Sequence, residues 1–151
     1  RLDALLDHPY FPLPPPKSLD RDAFAGALAE LAGLSASDGA ATLTAFTARS
    51  IAAAAASFPQ PAARWLICGG GRHNPVLLAR LAQAVAAPVA PVEAVGWRGD
   101  SLEAEAFAYL AVRSLRGLPL SLPMTTGVPA PITGGVLRRA QQDPSIHPWP
   151  G

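Results

Sequence analysis

The sequence predicts an α/β fold in which helices pack on a small sheet, and three observations carry it. Residues Arg64-Trp65-Leu66-Ile67-Cys68 form a short apolar run bounded by Pro61 and three glycines, the pattern of a buried strand. Asn74-Pro75 follows, a favourable N-cap with proline at the first helical position, and opens a helix to about Ala86. Pro88 to Val92 then reads as a second strand reached through that helix. The unit is therefore strand, helix, strand, and is expected to be parallel and right-handed.

On either side of this unit the chain reads as helix and irregular strap. Arg1 to Asp7 look like the last turns of a helix entered without a cap, which leads to the expectation that something precedes them. His8-Pro9-Tyr10-Phe11-Pro12-Leu13-Pro14-Pro15-Pro16 cannot be helical, because repeated prolines remove donors and drive the preceding residues into extended backbone. Asp20 is placed to cap a helix to about Leu31, with Leu19 and Phe24 as a hydrophobic staple and Gly33 as the stop. A second helix is expected from about Ser37 to Ser57, ending at Phe58-Pro59. Beyond the second strand, Asp100 is placed to cap a helix through Arg116, closed by Gly117. From Leu118 the chain is rich in proline and glycine and reads as a wrapping tail, with residues 138–151 loose at its end.

A chain of 151 residues is long enough for one domain with a real core, and 50% hydrophobic against 15% charged residues is the composition of a folding chain. The net charge of +1 gives no summed field to attract nucleic acid or an anionic membrane. Any anionic ligand must be held locally. The single cysteine, Cys68, excludes an internal disulfide and is expected to pack as a small apolar residue. His8, His73 and His147 share no metal-ligand spacing, so no metal site is expected. With neither a signal peptide nor an apolar run of about 20 residues, a cytoplasmic location is expected.

Chemistry is expected at Gly69-Gly70-Gly71, which lies at the carboxyl end of a strand and before a helix amino terminus. Glycines there permit positive φ and let a ligand touch the backbone. A tight turn with no ligand is equally compatible with the residues. So is a dinucleotide site, since Gly69-Gly70-Gly71-Arg72-His73-Asn74 approaches G-x-G-x-x-G and Glu93 stands where such folds place a ribose acid. Asn74 in place of the third glycine, and the lack of further strand and helix pairs, weigh against that last reading.

A longer pattern crosses the chain. Asp7-His8-Pro9-Tyr10-Phe11, Pro14-Pro15-Pro16-Lys17-Ser18, Ala41-Thr42-Leu43-Thr44-Ala45, Cys68-Gly69-Gly70-Gly71-Arg72-His73-Asn74-Pro75, Asp100-Ser101-Leu102-Glu103-Ala104 with Ala106-Phe107-Ala108-Tyr109-Leu110-Ala111, and Gly117-Leu118-Pro119 with Thr126-Gly127 occur in an order and spacing that resemble the anhydro-N-acetylmuramic acid kinases. The resemblance runs from Leu2 to about Leu137. Leu19-Asp20 stands where many members have Thr-Gly, and Val92-Glu93 where many have Thr-Asp.

The resemblance implies the fold of the actin, hexokinase and Hsp70 superfamily, ribonuclease H-like, with residues 1–137 as the carboxy-terminal, nucleotide-binding lobe of a two-lobed sugar kinase. It implies ATP with Mg²⁺ as cofactors, and 1,6-anhydro-N-acetylmuramic acid as substrate. Water would open the anhydro bridge while the γ-phosphoryl passes to O6, giving N-acetylmuramic acid 6-phosphate in peptidoglycan recycling. It places the phosphate loops and the aspartate that activates the water upstream of the segment resembling Arg1. No catalytic residue is therefore expected in this chain, and the chain alone is expected to be inactive. The amino-terminal lobe is an implied partner, and a homodimer is compatible. A non-catalytic nucleotide-binding or scaffold module is the alternative, and a Rossmann-like dinucleotide unit the third reading.

By the resemblance, Gly69, Gly70 and Gly71 would meet the adenosine or α-phosphate part of ATP, with Asn74 beside it. Capping alone also explains Asn74. Glu103 would accept a hydrogen bond from the sugar, although three residues after Asp100 it also completes an acidic capping box. Glu105 reads as a surface charge. Lys17 and Ser18 read as an exposed loop or as groups aimed at the cleft by the strap. Trp97 covers part of the site or fills core. Thr44, Thr47 and Arg49 either border the nucleotide or belong to a packing helix.

Overall fold

The computed structural model describes residues 1–138, so the expected loose tail lies, apart from Arg138, outside the described residues. Its helices are α1 (Leu2–Leu6), α2 (Ala27–Glu30), α3 (Ala36–Ala53), α4 (Pro75–Ala84), α5 (Leu102–Leu115) and α6 (Pro123–Thr126). Strands β1 (Trp65–Ile67) and β2 (Val89–Pro91) pair in parallel, with Trp65 opposite Val89 and Ile67 opposite Pro91. The expected strand, helix, strand unit is thus present, with α4 as its crossover.

Local chemistry explains most boundaries. Asn74 Oδ1 accepts from the backbone N–H of Val76 and Leu77 at 3.0 and 3.1 Å, and Pro75 spends no donor in the first turn. Helix α3 starts at Ala36, one residue before the expected Ser37, because Ser35 is the cap and its hydroxyl accepts from Asp38 N. Its last residues, Ala54–Ser57, tighten into a 3₁₀ turn. The hydroxyls of Thr42, Thr44 and Thr47 donate to carbonyls one turn back on α3, and Arg49 pairs with Asp3. α3 is a packing helix.

Two expectations fail. The helix expected from Asp20 to Leu31 is two separate turns, a 3₁₀ turn at Arg21–Phe24 and α2, with Gly26 between them. Glycine in a helix interior costs about 1 kcal/mol relative to alanine, and Phe24 packs into an aromatic cluster. The second failure is at α5, whose cap position is Ser101, with no side-chain cap bond. Asp100 does not cap it, for a reason given below.

The proline strap is fixed by aromatic contacts. Phe24 packs against His8 and Phe46, with ring centroids 5.0 and 5.3 Å apart, and Phe11 meets Phe46 edge-on. Lys17 Nζ donates to the carbonyls of Tyr10 and Phe11 and lies 4.6 Å from the Tyr10 ring centroid, while Ser18 is exposed. Lys17 therefore closes the strap on itself.

The core is small: Leu5 of α1, Ala45 and Ala48 of α3, Leu81 of α4 and Val92 after β2. Alanines on α3 allow α4 to approach closely, and Leu81, 1% exposed, fills the seam. Outside it, α5 presents Phe107, Tyr109, Val112 and Leu115 to solvent beside Val136 and Leu137. After α5, Gly117 at φ 64° turns the chain, and Ser121 bridges antiparallel to Ile132, so the proline-rich segment is partly paired.

Leu81→Ala is expected to lower unfolding free energy by about 3 kcal/mol, the cost of lost burial plus a cavity that two helices cannot close. Urea unfolding should show a lower midpoint with an unchanged slope. A midpoint within error of the parent would mean that the α3 and α4 seam does not hold the core.

Candidate functional site

The turn after β1 is shaped by Gly69, whose φ of 72° and ψ of −179° fall in a region open essentially only to glycine. From there Gly70–His73 make one 3₁₀ turn that delivers the chain to the Asn74 cap. At Gly70 a Cβ would meet nothing within 4 Å, so that face of the turn opens on space. At Gly71 it would stand 3.3 Å from Leu77, so that glycine permits packing against α4.

Cys68, Gly69 and Gly70 line an open cleft of about 460 Å³ together with Gly99, Asp100, Leu102, Glu103 and Ala106. The cleft falls within the size range of small-molecule sites. Two of the three glycines expected at a ligand, and Glu103, are therefore brought together from segments more than thirty residues apart. Gly71 and Asn74 stand outside the lining. The cysteine was expected to pack as an apolar residue, but it is exposed at the cleft because β1 ends one residue earlier. Trp97 is 55% exposed and borders a separate hollow with Gly96, Arg98, Leu102 and Glu105.

Behind the turn lies a group that sequence reasoning passed over. Arg72 is 5% exposed. Its Nε donates to Glu93 Oε1 at 2.8 Å, its Nη2 pairs with Asp100 Oδ1 at 2.7 Å, and its Nη1 donates to the Gly69 carbonyl at 3.0 Å. Gly99 N also donates to Glu93 Oε1, at 3.2 Å, and His73 Nε2 lies 3.7 Å from the same Asp100 oxygen.

These contacts settle three readings. Asp100 fails to cap α5 because a charge-assisted bond to a guanidinium is the stronger use of its carboxylate. Without that cap the acidic capping box does not form, and among the described residues nothing engages the Glu103 carboxylate. Glu93 Oε1 is engaged by Arg72 and Gly99, and only two strands are present among the described residues, both of which weigh against the dinucleotide reading.

The pairing moves protons. The Arg72 hydrogen bond, then its charge, holds the Asp100 carboxyl below its ordinary range. For Glu93 the same direction arises first from its own backbone N–H and then from Arg72. The Arg72 pKa is raised, chiefly by its bond to Asp100. A carboxylate with a lowered folded pKa adds stability that is complete above its unfolded value, about 4, and is lost as pH falls through the lowered folded one. The Arg72 contribution is present throughout that range and is lost only at strongly alkaline pH.

Asp100→Asn should therefore flatten the acid limb of the stability curve. Urea midpoints followed from pH 7 to pH 2 should differ between parent and variant near neutrality and converge below pH 3, modestly because Asp100 is 83% exposed. Parallel curves over the whole range would show that the pair carries no proton linkage.

The sequence model of the anhydro-N-acetylmuramic acid kinase family matches residues 1–139. Proteins of that name are similar throughout: 61% identical over 135 residues in Paramagnetospirillum magneticum, 60% over 134 in Rhodospirillum rubrum and 59% over 140 in Acidiphilium cryptum. These matches cover 89%, 89% and 92% of this chain but 38%, 35% and 38% of the relatives, so the chain spans little more than a third of their length. With the glycine turn, the cleft and every described residue inside the match, the chain belongs to the anhydro-N-acetylmuramic acid kinase family.

Proposed function

We propose that residues 1–137 form the nucleotide-binding lobe of an actin-like sugar kinase that converts 1,6-anhydro-N-acetylmuramic acid to N-acetylmuramic acid 6-phosphate at the expense of ATP. The observation that carries this reading is the shared cleft: a turn whose Gly70 face is open, and an unengaged Glu103 carboxylate, line the same hollow. A backbone free of side chains suits the adenosine or α-phosphate side of a nucleotide, and Asn74 stands just beyond it. A carboxylate is an acceptor-only group suited to a sugar hydroxyl or amide.

In the reaction, water would attack the anomeric carbon, the bridge to O6 would break, and O6 would take the γ-phosphoryl as ADP leaves. The water's proton needs a base, which we place in the remainder of the protein. Mg²⁺ is proposed to arrive with the ATP phosphates. Among the described residues no group of three His, Cys, Asp or Glu side chains is placed to hold a metal ion. The exposed apolar face of α5, with Phe107 and Leu115, and the neighbouring Val136 and Leu137 are proposed to pack against that same remainder. No helix among the described residues is long and apolar enough to cross a membrane, and a cytoplasmic role in peptidoglycan recycling fits the proposed chemistry.

Two outcomes follow. In the complete kinase, Glu103→Gln should raise KM for the anhydro sugar or lower kcat by about tenfold, the loss of one charged acceptor, with little change in melting temperature. Unaltered kinetics would take the sugar away from Glu103. The 151-residue chain by itself should form no N-acetylmuramic acid 6-phosphate, because phosphoryl transfer rests on positioning and charge stabilisation that one wall of a site does not supply. Product measured from this chain alone would place the base within it.

A further inference from the structure

The two walls of the cleft come from different stretches of chain. One is the turn at residues 68–70, and the other is residues 99–106 at the start of α5. Among the described residues, no backbone hydrogen bond crosses from the turn to residues 96–106. What joins them most closely is the Arg72 side chain, with His73 Nε2 3.7 Å from the same Asp100 oxygen. Arg72 leaves the turn, returns to its Gly69 carbonyl, and reaches Asp100 just before α5 and Glu93 in the turn after β2. Its side chain is 3% exposed and is not part of the cleft lining, so it acts on a ligand only through what it holds.

The seat is built for this head group. Guanidinium is planar with donors fixed in a fork, so Nε, Nη1 and Nη2 each meet a separate acceptor, whereas the three donors of an ammonium radiate from one nitrogen and do not span acceptors set this far apart. Gly99 lies flat against it: a Cβ there would come within 2.7 Å of the guanidinium carbon and of Glu93 Oε1. The Gly69 carbonyl also accepts from the backbone N–H of Arg72 at 3.2 Å, so the glycine with the restricted backbone is held from two directions.

We infer that Arg72 is a positioning residue that clamps the glycine turn to the start of α5 and so sets the spacing between the nucleotide wall and the sugar wall of the cleft. The inference rests on the nucleotide reading of the turn. Arg72→Lys keeps the charge and removes the fork, while Gly99→Ala keeps every charged group and displaces the guanidinium from outside.

Both variants are to be made in the complete kinase, with Gly70→Val as a third. Arg72→Lys and Gly99→Ala should each raise KM for ATP by about tenfold or more while kcat at saturating ATP stays within about threefold, since a displaced wall weakens binding before it alters the chemistry. A purely structural role would instead lower kcat in proportion to the folded fraction, with KM for ATP unchanged, and that result overturns the clamp. Should Arg72→Lys not fold, Gly99→Ala decides on the same criterion. A KM raised by Gly70→Val alone also overturns the clamp and leaves the nucleotide reading standing. A KM unchanged in all three variants overturns the nucleotide reading itself.

Discussion

A guanidinium cannot be taken out of water unless its donors are met, and around Arg72 that requirement organises the neighbourhood. Asp100 must approach from just before α5, Glu93 from the turn after β2, and the Gly69 carbonyl from the turn itself. Each partner explains a feature that looks unrelated. Ser101 rather than Asp100 stands at the head of α5, Gly99 must lack a side chain, and Gly69 occupies backbone that other residues avoid. The two short strands among the described residues could not fix the turn against a helix thirty residues later. The buried Arg72, with His73 beside the same Asp100 oxygen, does so.

The rest of the chain divides its labour accordingly. The α3 and α4 pair, seamed by Leu81 and small alanines, supplies most of the core, and the aromatic cluster of His8, Phe11, Phe24 and Phe46 fastens the proline strap to α3. Neither lines the cleft. α5 belongs to both worlds: its first turn carries Glu103 into the site, while its later turns expose Phe107 and Leu115.

Signals confined to a few neighbouring residues were legible in the sequence. Asn74-Pro75 fixed the start of α4, the run at Trp65 to Ile67 marked β1, and Gly117 marked the end of α5, each through chemistry contained within one turn. Gly69, Gly70 and Glu103 were singled out, and the structure brings them to one cleft. Asp100 was misread because D-x-x-E at a helix start satisfies a local rule, while the competing partner sits 28 positions earlier. Arg72 and Gly99 were passed over for the same reason. An arginine beside a glycine triplet looks like an exposed cation, and a glycine before an aspartate looks like a loop. Only the fold shows the one lying on the other. Glu93 drew notice for its spacing, but its actual partner is a side chain that a spacing rule does not contain.

Cys68, the chain's only cysteine, is exposed at the mouth of the cleft beside Gly69. A thiol-directed fluorophore would therefore attach to this segment at one position, without any engineered residue, and would sit against the turn. Where the remainder of the protein adds no reactive thiol, the rate of that attachment becomes an optical gauge of cleft occupancy, because whatever fills the hollow must slow the reagent's approach to the sulfur.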